Sequence, residues 1–181
     1  MANSKWVLDP AHSEVKFKVK HMMISTVSGE IKNFKVTVDS SNEDFTGANI
    51  SFEAEMNSLS SNNEQRDGHL MSHDFFDVEK YPTMKFQSTS VTKKADGNLS
   101  IIGNLTIKDV TKSIEIPAEF GGSGKDPWGN AKAGFSIDFK INREEFGLTW
   151  NAALEAGGVL VSADVRILAE IQLLAQVKVA A

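Results

Sequence analysis

Cysteine is absent from the 181 residues. Disulfides and thiolate metal sites are therefore excluded, but compartment is left open, because periplasmic proteins can also lack cysteine. A basic block is missing too: the net charge is −5 and is spread along the chain. Nucleic acids are not expected partners, since phosphate contacts need clustered Lys and Arg. No run approaches the roughly 18 apolar residues of a membrane-spanning helix. The opening "MANSKWVLDPAHSEV" has no apolar core of a secretion signal. A cytoplasmic protein is expected, or a periplasmic one whose signal has been removed. Catalytic signatures are equally scarce. There is no G-x-S-x-G elbow, no P-loop and no dinucleotide fingerprint. "GGSGKDPWGN" carries glycines and a lysine without the P-loop spacing, and reads as a hairpin loop anchored by Trp128.

What is present is a period of two. In "SEVKFKVKH", Val15, Phe17 and Val19 share a face opposite Lys16, Lys18 and Lys20. Phe34, Val36 and Val38 follow the same rule, as do Ile50, Phe52, Ala54 and Met56. So do Ala133, Phe135, Ile137, Phe139 and Ile141. The longest series runs Val159, Val161, Ala163, Val165, Ile167, Ala169, Ile171, Leu173, with Leu168 as the exception on the other face. Strands with one apolar and one polar face suit antiparallel sheet. "DSSNEDFTG", "KKADGN" and "GGSGKDPWGN" supply turns, with Asp96-Gly97 suited to positive φ. An all-β fold of eight or nine strands in one domain over 1–181 is expected, with 41% hydrophobic residues to build its core. Closure into a barrel hides the edges, and about eight strands leave an interior that is either filled or holds one apolar ligand.

One stretch breaks the pattern: "NEQRDGHLMSHDFFDVEKYPTMKF", Asn63–Phe86. Ser60, Ser61 and Asn62 offer helix caps and Pro82 blocks continuation. A short helix near 62–72 is expected, covering one barrel end as a lid. His69 and His73 are spaced i, i+4, as in zinc enzymes, but the glutamate of H-E-x-x-H is absent. A third ligand would have to come from His12 or His21. Arg66 either pairs with Asp67, Asp74 or Asp77, or holds an anionic group at the opening. Phe75, Phe76 and Tyr81 are expected to pack the loop onto the core. Asp74 and Asp77 can cap local N–H groups, or act as an acid/base pair.

"WVLDPAHSEVKFKVKHMMISTVSGEIKNF", "RDGHLMSHDFFDVEKYPTMKF", "GNLTIKDVTKSI", "INREEFGL" and "GGVLVSADVRILAEI" together resemble the YceI-like family, from Trp6 to about Gln172. The resemblance implies an extended, lipocalin-like antiparallel barrel of about eight strands with a helical insertion. It implies a long-chain amphiphile in the lumen: a polyisoprenoid, an isoprenoid quinone, or a fatty acid or amide. Many members carry a secretion signal, which is not visible here. The His69/His73 pair is not expected to be a family feature.

The resulting expectation is a non-enzymatic lipid carrier or store without cofactor or metal. The lumen would be lined by Phe17, Val19, Phe34, Val36, Phe52, Met56, Phe86, Phe135, Ile137, Phe139, Val161, Ala163 and Ile167, and closed by Leu70 and Phe75. Ala54, Ala133, Ala163 and Ala169 would leave room for the chain. Arg66, His69 and His12 would meet the head group. Transient membrane contact and a homodimer are further expectations. The alternatives are a metal-dependent hydrolase using His69 and His73, and a filled-core interaction protein.

Overall fold

The computed structural model describes residues 3–176. The apolar alternation becomes eleven strand segments: β1 (Ser4–Leu8), β2 (Glu14–His21), β3 (Ser25–Ile31), β4 (Phe34–Ser40), β5 (Asn49–Glu55), β6 (Leu59–Ser60), β7 (Thr83–Lys93), β8 (Leu99–Ile107), β9 (Val110–Lys125), β10 (Ala131–Asn142) and β11 (Val161–Ala175). Every pairing between them is antiparallel. The order β1-β4-β5-β7-β8-β9-β10-β11 returns to β1 through Trp6 opposite Ala175 and Leu8 opposite Leu173. This is the closed eight-stranded barrel that the alternation and the family resemblance imply.

The other three segments lengthen one wall. β2 continues β1 along β11, β3 pairs with β2, and β6 pairs with β3. The interruptions are local: a 3₁₀ turn at Pro10–His12, and another at Met56–Ser58. At the β7–β8 hairpin only Gly97 takes positive φ, +88°, whereas Asp96 does not. Asp96 instead uses its Oδ1 to accept from the Asn98 N–H at 3.0 Å. Gly29 lies opposite Phe17 on β2, and a Cβ there would collide with the Phe17 ring. Glycine lets that ring lie flat across the wall.

The broken stretch forms helix α1 (Glu64–Met71), shorter than the 62–72 expected. Its cap is Asn63, whose Oδ1 accepts from the Arg66 N–H at 3.0 Å, rather than Ser60, Ser61 or Asn62. Asn62 cannot serve because it turns the chain with φ +61°. The helix ends where Ser72 bonds back to His69 O through both its N–H and its hydroxyl. The following loop folds under it: Phe76 N donates to Leu70 O and Val78 N to Met71 O, both at 3.0 Å.

α1 and its loop lie at the end where β7 begins. The opposite end is shut by the β4–β5 loop. Phe45 from that loop is 2% exposed and holds φ +66°. Its ring meets Trp6 at 5.2 Å, Phe135 at 5.1 Å and Phe120 at 5.8 Å. Phe45 in edge and tilted contact with three rings, two of them stacked on each other, makes a plug at that end. Phe45→Ala should lower the unfolding free energy by about 3–5 kcal/mol, read from the urea midpoint. An unchanged midpoint would show that this loop does not seal the barrel.

Candidate functional site: an apolar cavity beneath a polar lid

The barrel interior is not filled. It holds a cavity of about 360 Å³, within the size range of ligand pockets. Phe17, Val19, Val36, Phe52, Phe86, Phe135, Ile137, Phe139, Val161 and Ile167 border it from the strands, and Leu70 and Phe75 from the lid. Parity along each strand places these side chains inward.

Three expected lining residues lie elsewhere. Ala163 sits in a bulge: between Val161, opposite His21, and Val165, opposite Val19, β11 has three residues against one of β2. The extra residues shift its phase and carry Ala163 off the cavity wall. Met56 is buried, but the strand has already ended at Glu55 and Met56 begins the 3₁₀ turn. It packs with Ile31, Ala54 and Leu59 in a small separate core. Phe34 leans on that same cluster and on Phe52, 6.0 Å away, instead of reaching the lumen. Among the small residues expected to leave room, only Ala169 borders the cavity; Ala54 and Ala133 are buried in packed clusters.

His12 is also displaced from the position expected for a head-group contact. It is exposed on the 3₁₀ turn, with Nδ1 3.0 Å from Asp9 Oδ2. The same oxygen accepts from Lys132 Nζ and from Gln172 Nε2, each at 3.0 Å. Gln172 lies near the end of β11, whereas the lid lies near its beginning: His69 packs on Trp150, and the neighbouring Asn151 donates to Val161 O. The Asp9 carboxyl is held below the usual carboxylate range, chiefly by the Lys132 hydrogen bond. Burial opposes this and His12 adds to it.

At the lid end the polar groups converge. Arg66 borders the cavity, but pairs with none of the aspartates proposed for it. Its Nε donates to Ser61 Oγ at 2.7 Å and its Nη2 to Ser61 O at 2.6 Å. Asp67 instead accepts from the Ser61 N–H and hydroxyl, at 2.7 and 2.5 Å. His69 stands edge-on to Trp150 (4.6 Å) and Phe75 (5.0 Å), with Nε2 3.0 Å from Asp74 Oδ2. His73 lies beyond the helix, exposed, and reaches the other oxygen of Asp74 at 3.5 Å. The two histidines thus share a carboxylate. No group of three His, Cys, Asp or Glu is placed to hold a metal among the described residues.

Sequence reasoning missed Arg143. It is 3% exposed and borders the cavity. Its guanidinium donates only to carbonyls: Nε to Ser162 O (2.8 Å), Nη1 to Leu148 O (2.5 Å) and Nη2 to Val161 O (3.2 Å). It lies 6.0 Å over the Phe75 ring. Burial pulls its pKa down, and neighbouring Glu144 opposes that. The numbering of 143 is in phase with Phe135, Ile137, Phe139 and Ile141, but β10 ends at Asn142 and the 3₁₀ turn, not the alternation, sets the direction of its side chain. Phe45, Trp150 and the β8–β9 wall, Leu99 to Ile116, also line the cavity unforeseen.

A YceI-like domain model matches residues 6–173. A UPF0312 protein of Staphylococcus epidermidis is 38% identical over 164 residues, covering 90% of this chain and 93% of that one. The crystal structure of a Campylobacter jejuni YceI protein superposes with a TM-score of 0.74 at 32% identity, covering 94% and 97% of the two chains. A polyisoprenoid-binding domain from Saccharophagus degradans shares the fold at TM-score 0.67 and 11% identity, covering 94% and 98%.

The Asp9 geometry generates a pH-dependent expectation. A carboxyl whose pKa is lowered on folding stabilises the fold above its unfolded pKa, and that contribution is lost as pH falls through the folded value. Asp9→Asn should therefore cost about 1 kcal/mol at pH ~7 and close to nothing at pH ~2, in thermal scans of both proteins. A constant gap across that range would show that the carboxylate charge is not what holds Lys132.

Proposed function

Because the chain belongs to the YceI-like family, we propose that it binds a long-chain amphiphile in its barrel and carries or stores it without chemical change. The observation that carries this reading is the cavity itself: about 360 Å³ of space inside a closed, apolar barrel, bordered at the lid end by Arg66, His69 and Arg143. Every methylene taken from water into such a space contributes about 0.8 kcal/mol. A polyisoprenoid, an isoprenoid quinone or a fatty acid or amide would place its tail among Phe17, Phe52, Phe135 and Phe139. Its head would lie under α1, near Arg66 and His69. The Saccharophagus domain of the same fold, described as polyisoprenoid-binding, supports this class of ligand.

The cargo must pass between the lumen and a membrane, and the β2–β3 hairpin suits that step. Met22, Met23 and Ile24 at its tip are 42%, 67% and 81% exposed, with Val159 beside them at 43%. Met22 and Met23 both hold left-handed backbone, φ +54° and +61°, a conformation that disfavours their side chains. Lys20, His21, Leu160 and Val161 behind the tip border the cavity. The tip would rest in a bilayer surface while the chain enters or leaves.

Native mass spectrometry with solvent extraction tests the reading. One prenyl or long-chain species per protein is expected. Ala169→Trp, which places an indole in the lumen, should abolish retention. Ala163→Trp, on the bulge, should leave it intact. Full retention by the Ala169 variant would overturn the lumen as the binding site.

A further inference from the structure

We infer that the cavity selects amphiphiles whose head group is an anion, a carboxylate or a phosphate, and that Arg143 with Arg66 forms the site that receives it. The inference rests on the carrier reading and narrows it to a chemical class.

Every ionisable side chain that borders the cavity is basic. These are Lys16, Lys20, His21, Arg66, His69 and Arg143, and no aspartate or glutamate is among them. Lys16 turns outward to Glu14 at 3.2 Å, and His69 is taken by Asp74. The two arginines have no such partner: within 4.0 Å of either guanidinium there is no carboxylate among the described residues. The contrast with Arg166 is direct, since that exposed guanidinium forms a two-point pair with Asp138. In this chain the arginine on the outer wall has its carboxylate, and the buried arginine at the lid end of the cavity has none.

A buried cation ordinarily has a counter-charge, because leaving water is costly and neutral carbonyls return only part of that cost. Arg143 spends three hydrogen bonds on backbone carbonyls. A guanidinium has five N–H donors, so two remain. Arg66 spends two side-chain bonds on Ser61. The two side chains are tied to one end of the cavity by the intervening rings: Arg143 over Phe75, Phe75 against His69 at 5.0 Å, and His69 one helical turn from Arg66. An acidic head entering with its tail in the lumen supplies the missing charge. The planar fork of a guanidinium matches the oxygens of a carboxylate or phosphate. A neutral head of the same size accepts hydrogen bonds but leaves the charge uncompensated.

The test compares head groups on one tail with delipidated full-length protein. A long-chain fatty acid is set against its methyl ester, and a prenyl monophosphate against the prenol of the same length. The acidic member of at least one pair should bind about tenfold more tightly or better, as charged hydrogen bonds require. Preference within the first pair alone identifies a free fatty acid as the source of the anion; preference within the second alone identifies a prenyl phosphate. Arg66→Met should erase most of the preference, weakening the acidic ligand several-fold more than the neutral one. Arg143→Met should do the same if it folds, and the ligand comparison on the unaltered protein does not depend on it. Equal affinity within both pairs overturns the head-group inference and leaves the carrier reading standing. Binding of none of the four overturns the carrier reading and this inference with it.

Discussion

The pairing of Trp6, Val7 and Leu8 with Ala175, Leu174 and Leu173 turns a long sheet into a barrel. It is the shortest ladder of the eight, and everything enclosed depends on it. Without it, β1 and the Leu173–Ala175 end of β11 would be open edges, and the inward faces of the other nine segments would meet water. Polar groups reinforce the seam from outside. Asp9 N donates to Gln172 O, and the Asp9 carboxylate gathers Lys132 and Gln172. The residue after β1 is thereby tied to β10 and β11 beside the closure. An ionic network is well placed here because it lies on the wall, where it costs the apolar interior nothing.

Closure also explains why the interior is hollow. An eight-stranded barrel is near the size at which side chains can just fill the space. Here one wall is lengthened by β2, β3 and β6, and the extra length is capped by a helix with no buried residue of its own. At the far end, packed rings around Phe45 fill the bore. At the lid end, Leu70 and Phe75 reach in from above while the strands stay apart. The cavity is what remains between a dense plug and a thin lid, and its two ends differ in chemistry for the same reason. A plug can be all aromatic, whereas a lid between water and the lumen must carry polar groups.

The inward face of the barrel was legible because a strand's period of two survives wherever the ladder is regular. Phe135, Ile137 and Phe139 keep it, and all three reach the cavity. It fails where the backbone departs from the ladder. Ala163 fails at a bulge, which leaves no mark in the alternation of Val161, Ala163 and Val165. Met56 fails because the strand stops one residue before it. His12 and the expected aspartate partner of Arg66 fail for another reason: sequence proximity suggests partners, but a turn or a cap decides which atoms meet. Arg66 met Ser61 instead of an aspartate. Phe45 lies in a loop without period, so nothing in the sequence marked it as a plug. Arg143, like Met56, lies one residue past its strand, in a 3₁₀ turn, where the alternation no longer says which way a side chain points.

The two kinds of wall divide the work of recognition. Apolar lining rewards any tail in proportion to the surface it hides, about 0.8 kcal/mol per methylene, and so distinguishes a long chain from a short one but not one long chain from another. Two methylenes of extra tail contribute about as much as one charged hydrogen bond at the head, roughly 1.5–3 kcal/mol. A barrel that relied on its tail contacts would therefore take up whatever lipid is most abundant. On the carrier reading, selectivity would have to come from the ends, where contacts are directional: the rings around Phe45 would limit how far a chain can reach, and the guanidiniums at the lid end would select what stands at its head. In such a vessel the few polar residues matter more for identity than the many apolar ones, although the apolar ones supply most of the affinity.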